Sequence, residues 1–408
     1  MLLIIVRFLL FFLTLTQGLN TSFPENQPYK SRNATDLRIL VVLSDYADKN
    51  NDCGNFTSTL FWQGSPNIHD HFLSLSQHRL NVTGDIAGPY LFSQFTVTGN
   101  VCGDDVLLTE AVQIQVTQDN YNLKDYNTLV IITPHIEGCS AGSAGVFEDC
   151  TLKTAETCSV IVRKCLGNVV THEIGHNLNM GHAGWDVDDN NVIDNLGDAS
   201  DVMSFASWEW TTLNGAHMWQ MKWVQDEFFV EGQHLENGEY GIGSLDVLVN
   251  VPQVYRFPVL DRVAHTVEPL NKAYFVSVRT SQEMPESYRN KVHIHHYLRR
   301  YQACVGQGCI QLFQAGQQTG LVRLLSVGEN YTFSDLNLTL SFIRWNDNHT
   351  ATLRIWTTKP FLPTPSSSTQ HLVWWWFVVP AVVVVVVIGL LSLYKYRLCW
   401  KQGYNNQP

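Results

Sequence analysis

The stretch THEIGHNLNMGHAG, beginning at Thr171, sets His172, Glu173, His176 and His182 within eleven residues. Residues four apart share one face of a helix, so His172 and His176 can present two imidazole nitrogens to a single ion. Glu173, one position on, cannot easily ligate the same ion, but can reach a water held there and act as a general base. A catalytic zinc site needs a third protein ligand and an open fourth position. His182 supplies that ligand if the helix stops and the chain turns back. Asn179 and Gly181 both tolerate the left-handed conformation that ends a helix. The spacing therefore predicts a helix from about Asn168, a stop, and a reversal.

The two ends of the chain point to a membrane. Residues 1–18 form an apolar stretch with one arginine, which resembles a secretory signal peptide; an N-terminal anchor is the competing reading. Leu372–Leu393 carries no charge and is long enough to span a bilayer as a helix. Pro380 is tolerable inside it, and Trp374–Trp376 suit the outer interface. Lys395, Arg397 and Lys401 follow at once, so the tail 394–408 is expected in the cytoplasm. A lipid-anchor signal would end in the apolar stretch, whereas a polar tail follows here. The expectation is a single-pass type I protein of the plasma membrane, with nearly all of the chain extracellular.

Glycosylation sequons and cysteines agree with that placement. Asn20, Asn33, Asn55, Asn81, Asn330, Asn337 and Asn348 each open an N-x-S/T triplet without proline at x. Eight cysteines precede the membrane segment, an even number suited to an oxidising compartment. Cys304 and Cys309, in CVGQGC, are the expected bridge; the other pairings are open. Cys399 is a palmitoylation candidate or an inert thiol. The net charge of −11 argues against a nucleic-acid partner, because a polyanion would be repelled.

Texture divides the interior. Leu37–Tyr46 and Thr128–Pro134 are β-rich apolar runs and read as strands. FSQFTVTG (92–99) and VQIQVT (112–117) alternate and read as strands with one wet face. Beyond WQMKWV (219–224), YFVSVRT, KVHIHHYL, LVRLLSV, LTLSFIRW and ATLRIWTT recur between turn signals, which suggests an antiparallel β-sandwich. Residues 359–371 are rich in Pro and Ser and read as a stalk. The expected domains are thus 36–225 and a β-rich ectodomain 226–358, followed by the stalk.

HEIGHNLNMGH resembles the extended zinc motif of the metzincin metallopeptidases, HExxHxxGxxH, and SDVMSF with Met203 resembles their Met-turn. Within the metzincins the chain is most similar to the gametolysin family, through HEIGHNL, GHAG, DVMS and LNGAHMWQMKW (Leu213–Trp223). The resemblance covers roughly residues 36–225 and continues more loosely into the β-rich part, best at YFVSVRTSQ. It implies an α+β metzincin-like catalytic domain with a twisted sheet and an active-site helix. An all-β, sandwich-like domain and the C-terminal transmembrane helix would follow. It implies His172, His176 and His182 as zinc ligands, Glu173 as general base, and Met203 as an apolar floor beneath the metal. Two departures stand out: Asn179 replaces the family's usual glycine, and Phe205 stands where several metzincins carry a tyrosine that helps stabilise the oxyanion.

The implied activity is hydrolysis of peptide bonds in extracellular matrix, cell-wall or surface glycoproteins, with substrate extended along an edge strand near Gly142–Asp149. A catalytically silent adhesion or receptor ectodomain on the same fold is the alternative; such a relative usually loses Glu173 or a ligand, and all four residues are present. About 17 residues, none of them cysteine, separate the leader from the first strand, so no cysteine switch is expected. Asp186, Asp188, Asn190 and Asp194 match positions 1, 3, 5 and 9 of a calcium loop, with Asn191 and Gly197 where glycine and the bidentate glutamate belong. Calcium is therefore a second candidate cation beside zinc, against a solvated acidic insertion. His293, His295 and His296 are expected as half-exposed strand positions, and His217 as cleft lining or structural support. Trp208, Trp210, Trp219 and Trp223 are expected to form core behind the site.

Overall fold

The apolar run near the start of the described residues is β1 (Asp36–Tyr46), and it is covered on both faces. Leu37, Ile39, Val41 and Leu43 enter one core, while Leu40 and Val42 enter another, the period-2 alternation of a strand inside a two-sided sheet. This computed structural model describes residues 36–357 except 52, 98–104, 145–149, 187–196, 205–209, 233–234, 248, 260–271, 283, 299–302, 306–307, 311–316 and 348. The expected leader, stalk, membrane segment and tail lie outside the described residues, as do Asn20, Asn33 and Asn348. Among the described residues no helix is long and apolar enough to cross a membrane.

The protein is mixed α/β, with several sheets and few helices. β1 pairs in parallel with β2 (Asn81–Phe92) and β3 (Thr128–Ile132). Next come β4 (Gly142–Ala144) and β5 (Ser159–Val162); β5 is parallel to β3, and β4 runs antiparallel to β5. The order is β2-β1-β3-β5-β4. Parallel neighbours need crossovers, which contain α1 (Ile68–Leu75) between β1 and β2 and α2 (Asp105–Gln118) between β2 and β3. α3 (Gly167–Asn177) follows β5. α1 and α3 contribute Phe72 and Ile174 to one core; α2 contributes Leu108, Val112 and Val116 to the other.

Two expected strands are not strands. VQIQVT lies within α2, where Leu108, Val112 and Val116, spaced by four, face the sheet and Ile114 points outward, 61% exposed. Helical spacing to Leu108 and the demand for a crossover outweigh the weak β preference of valine and isoleucine. Phe92 of FSQFTVTG ends β2, and residues 93–97 turn away.

The rest of the chain forms β6 (Met180–Trp185), α4 (Gly215–Gln220), β7 (Phe229–Glu231), β8 (Gly238–Gly243), β9 (Val254–Pro258), β10 (Lys272–Arg279), β11 (Lys291–Leu298), β12 (Ala303–Val305), β13 (Gly308–Ile310), β14 (Gln317–Leu325), β15 (Asn330–Phe333), β16 (Leu338–Trp345) and β17 (Thr350–Thr357). They build a six-stranded sheet β6-β14-β11-β10-β9-β7, a four-stranded sheet β15-β16-β17-β8, and the hairpin β12-β13. KVHIHHYL and LTLSFIRW coincide with β11 and β16. The two larger sheets meet where Phe333 packs 4.8 Å from Tyr274 and 5.9 Å from Phe257, ring centre to ring centre.

Residue 225 is not a break in packing. β6, from the first half, pairs in parallel with β14 of the second, and one core runs from Leu37 to Tyr297. Trp219 of α4 lies 5.2 Å from Phe275 and 5.5 Å from Tyr297. Arg279 donates to the carbonyls of Ser200 and Leu213, 3.1 Å each, and is paired with Asp246. The three β11 histidines are fully buried rather than half-exposed, because β11 is an inner strand flanked by β10 and β14, with Asp186 and Asp198 packed against His296 and His295. His295 Nε2 lies 2.9 Å from Asp198 Oδ2, His296 Nε2 stands 3.3 Å from Asp186 Oδ2, and His293 Nε2 donates to the Tyr288 carbonyl at 2.8 Å. Burial, with His295 and Arg279 nearby, pushes His293 down to about 3. Burial alone would raise Asp198, but His295 and the Ser200 donors outweigh it and hold the carboxyl at about 2.

Disulfides join Cys53 to Cys165 and Cys150 to Cys158, with Cα separations of 5.3 and 6.0 Å, and Cys139 is also disulfide-bonded. The backbone register of β12–β13 sets Cys304 opposite Cys309. Of the sequons, Asn330 is exposed, Asn337 and Asn81 are half-buried, and Asn55 lies in a short 3-10 turn.

A fragment ending at residue 225 exposes the faces of β6 and α4 that the second half covers. It is expected to show no cooperative thermal transition by circular dichroism. In the whole chain, Asp198→Ala strands His295 and two Ser200 donors without an acceptor, and is expected to cost about 3 kcal/mol, read from the urea midpoint.

Candidate metal centre

α3 carries His172, Glu173 and His176, and it ends where Asn179 adopts a left-handed conformation, φ 67°. The chain reverses there into β6, which carries His182. Gln220 Nε2 donates to the Asn179 carbonyl at 2.7 Å and holds the reversal. The replacement of glycine by asparagine leaves the turn in place, since asparagine tolerates positive φ.

The three imidazoles converge, with one ligand nitrogen from each within 4.8 Å of the others. Their hydrogen bonds settle what they can do. His172 Nδ1 lies 3.0 Å from the Val202 carbonyl and His176 Nδ1 lies 2.9 Å from the Met180 carbonyl. A carbonyl only accepts, so each Nδ1 carries the proton and each Nε2 keeps its lone pair. The two Nε2 atoms face each other at 3.1 Å, a spacing at which both lone pairs can be directed at one cation. Two nitrogens on a tetrahedral zinc stand about 3.3 Å apart, given bonds near 2.05 Å, so the observed separation fits a shared ion. Burial keeps His172 below its ordinary value and His176 well below, the latter also repelled by its neighbouring histidines. Neutral imidazoles are the ligand form.

Met203 is fully buried beneath this cluster; a Cβ on Gly175, in the turn between the two helical ligands, would collide with its sulfur. The turn around Met203 is organised by Asp201, also fully buried. Asp201 accepts from the backbone N–H of Met203 and of Asn214, 2.7 Å each, and from His217 Nδ1 at 2.8 Å. His217 is thus structural support, with no exposed surface in the cleft. Trp219 and Trp223 are core, Trp210 packs against it half-buried, and Trp208 and Phe205 lie outside the described residues.

Glu173 is 6% exposed, and burial pushes its carboxyl up to about 8, with Arg163 opposing. Its neighbours are Gly142 of β4, Arg163 just past the end of β5, and Asp105 at the start of α2. Arg163 is ion-paired with Asp105, which also accepts from Ser143 Oγ at 2.7 Å. β4 is the outer strand beside α3, and among the described residues no strand pairs with its outer edge. It begins the 142–149 segment expected as the edge; residues 145–149 lie outside the described residues.

Sequence reasoning missed Asp201, Arg163 and Asp105. Only Asp201 carried a local signal, as the short carboxylate two residues before the turn methionine. Of the calcium-loop residues, Asp188, Asn190 and Asp194 lie outside the described residues; Asp186 is buried beside His296. The three histidines are the group of ligating side chains able to hold a metal ion among the described residues. No protein-family model and no curated protein matches this sequence.

His176→Ala is expected to abolish retention of a divalent metal through gel filtration. Gln220→Ala, which frees the reversal carrying His182, is expected to weaken metal affinity about 10-fold in a competition titration.

Proposed function

We propose that this protein is a zinc-dependent metalloendopeptidase of the metzincin type, similar to the gametolysin family. The observation that carries the reading is the pair of Nε2 atoms 3.1 Å apart on α3, joined by His182, with Glu173 buried on the same helix. An all-imidazole donor set favours zinc among the common cations and disfavours calcium, which takes oxygen ligands. A bound zinc ion supplies Lewis acidity and lowers the pKa of its water.

The chain's own groups do the rest. Glu173, next to His172 on α3, would accept a proton from the attacking water and deliver it to the leaving amine. The outer edge of β4 offers backbone N–H and C=O groups to an extended peptide, which would lie across Glu173 and the histidines. Met203 fills the space under the ligands without competing for the ion. The substrate class we infer is extracellular matrix, cell-wall or surface glycoprotein, reached from a type I membrane position; the disulfides and the exposed sequon Asn330 support an extracellular setting. A silent adhesion ectodomain has no use for a buried carboxyl on the helix that carries two of the three clustered histidines.

The test compares the full-length protein with its Glu173→Ala form on a proteome-derived peptide mixture, with zinc content measured on both. The parent is expected to generate new termini, and the variant to lose about 10³-fold in rate while holding one zinc. A parent that holds zinc and cuts nothing would sink the reading.

A further inference from the structure

The Glu173 carboxylate rests against the backbone of Gly142 on β4. A Cβ built on Gly142 would come within 2.6 Å of Glu173 Oε1, 2.7 Å of Cγ and 2.9 Å of Cδ, separations that real side chains do not adopt. Gly142 is not among the residues with positive φ, so backbone conformation does not require glycine here. The three atoms nearest to that Cβ all belong to Glu173.

The geometry points to Gly142 as a positioning residue: its missing side chain is the space in which the proton-transferring carboxylate stands. The inference rests on the reading of Glu173 as general base. If a methyl group is introduced, either the strand or the glutamate must yield, and the strand is held from several sides. The Ala141 carbonyl accepts from the backbone N–H of Arg163 at 2.7 Å and of Lys164 at 3.2 Å. Ser140 Oγ donates to the Gly142 carbonyl at 2.7 Å, and Gly142 is in register with Val162 of β5. Ser143 Oγ donates to Asp105, whose other oxygen is ion-paired with the buried Arg163. The start of α3 is tied by the Cys53–Cys165 bridge. The glutamate side chain, with three soft torsions, is the part that moves.

Gly142→Ala is therefore a variant that keeps its fold and its metal while shifting one carboxylate. Replacing glycine by alanine at a compatible φ ordinarily stabilises a chain slightly. A displacement of about 1 Å costs on the order of 100-fold in rate. The loss should fall on kcat with KM nearly unchanged, because an extended peptide would pair with the edge of β4 and the new methyl projects from its face toward α3.

The experiment uses the full-length zinc-loaded protein in four forms: parent, Gly142→Ala, Glu173→Asp and the double variant. Crystal structures of the parent and Gly142→Ala are expected to differ at Glu173, its carboxylate displaced by about 1 Å or more, with the three histidines and the metal stoichiometry unchanged. In kinetics, Gly142→Ala is expected to lose about 100-fold in kcat. Glu173→Asp draws the carboxylate back by one methylene, so in the Gly142→Ala background it should cost less than about threefold more, rather than multiplying the two losses. A Glu173 that does not move, an undiminished kcat, or losses that multiply would overturn the proposal. A carboxylate displaced in Gly142→Ala, with a parent that hydrolyses nothing, would support the seat formed by Gly142 and remove the peptidase reading instead.

Discussion

Asn179 stands in the left-handed region, φ 67°, and the reversal it makes governs both the site and the architecture. One residue before it the helix bearing His172 and His176 has ended; one residue after it β6 begins, with His182 on it. The same strand then pairs with β14, so the turn that closes the histidine cluster also attaches the six-stranded sheet to the first half. A longer connection could have joined the sheet, but would not have returned a third imidazole to within 4.8 Å of the other two. Gln220 on α4 caps the reversal, which adds a third element to the same point.

Around that point the polar groups are held by partners on several elements. The Val202 and Met180 carbonyls select the tautomer of His172 and His176, and Asp201 gathers three donors to hold the segment that bears Met203. These are buried groups, so each has few alternatives once the surrounding core has closed. Backbone carbonyls that fix ring orientation in this way limit how far the three imidazoles can rearrange. Glu173 belongs to the same scheme with a different neighbour, the open face of a glycine on the edge strand.

The second half is a structural partner of the site rather than an appendage. His295 and Arg279 reach from β11 and β10 to Asp198 and to the carbonyls of Ser200 and Leu213, which flank the methionine turn. The floor under the histidines is thus set by strands about 80–100 residues further on. Burial of three histidines on one inner strand is costly unless they stay neutral or find carboxylates, and Asp198 and Asp186 meet that need.

Read alone, the sequence determined what chain neighbours can determine. The helix, its stop at Asn179, the return of His182 and several strands, among them β1, β11 and β16, follow from local spacing and residue-level conformational freedom, and they were legible. VQIQVT was misread because alternation over six residues cannot be told from a helix face whose partner, Leu108, lies just upstream. Only tertiary structure decided that β11's histidines are buried, that one core continues across residue 225, and that Gly142, Arg163 and Asp105 stand near Glu173. Arg163 and Asp105 are 58 residues apart, and Asp198 and His295 are 97 apart. Such pairs are chosen by how sheets and helices stack, and no periodicity in a single sequence records that choice.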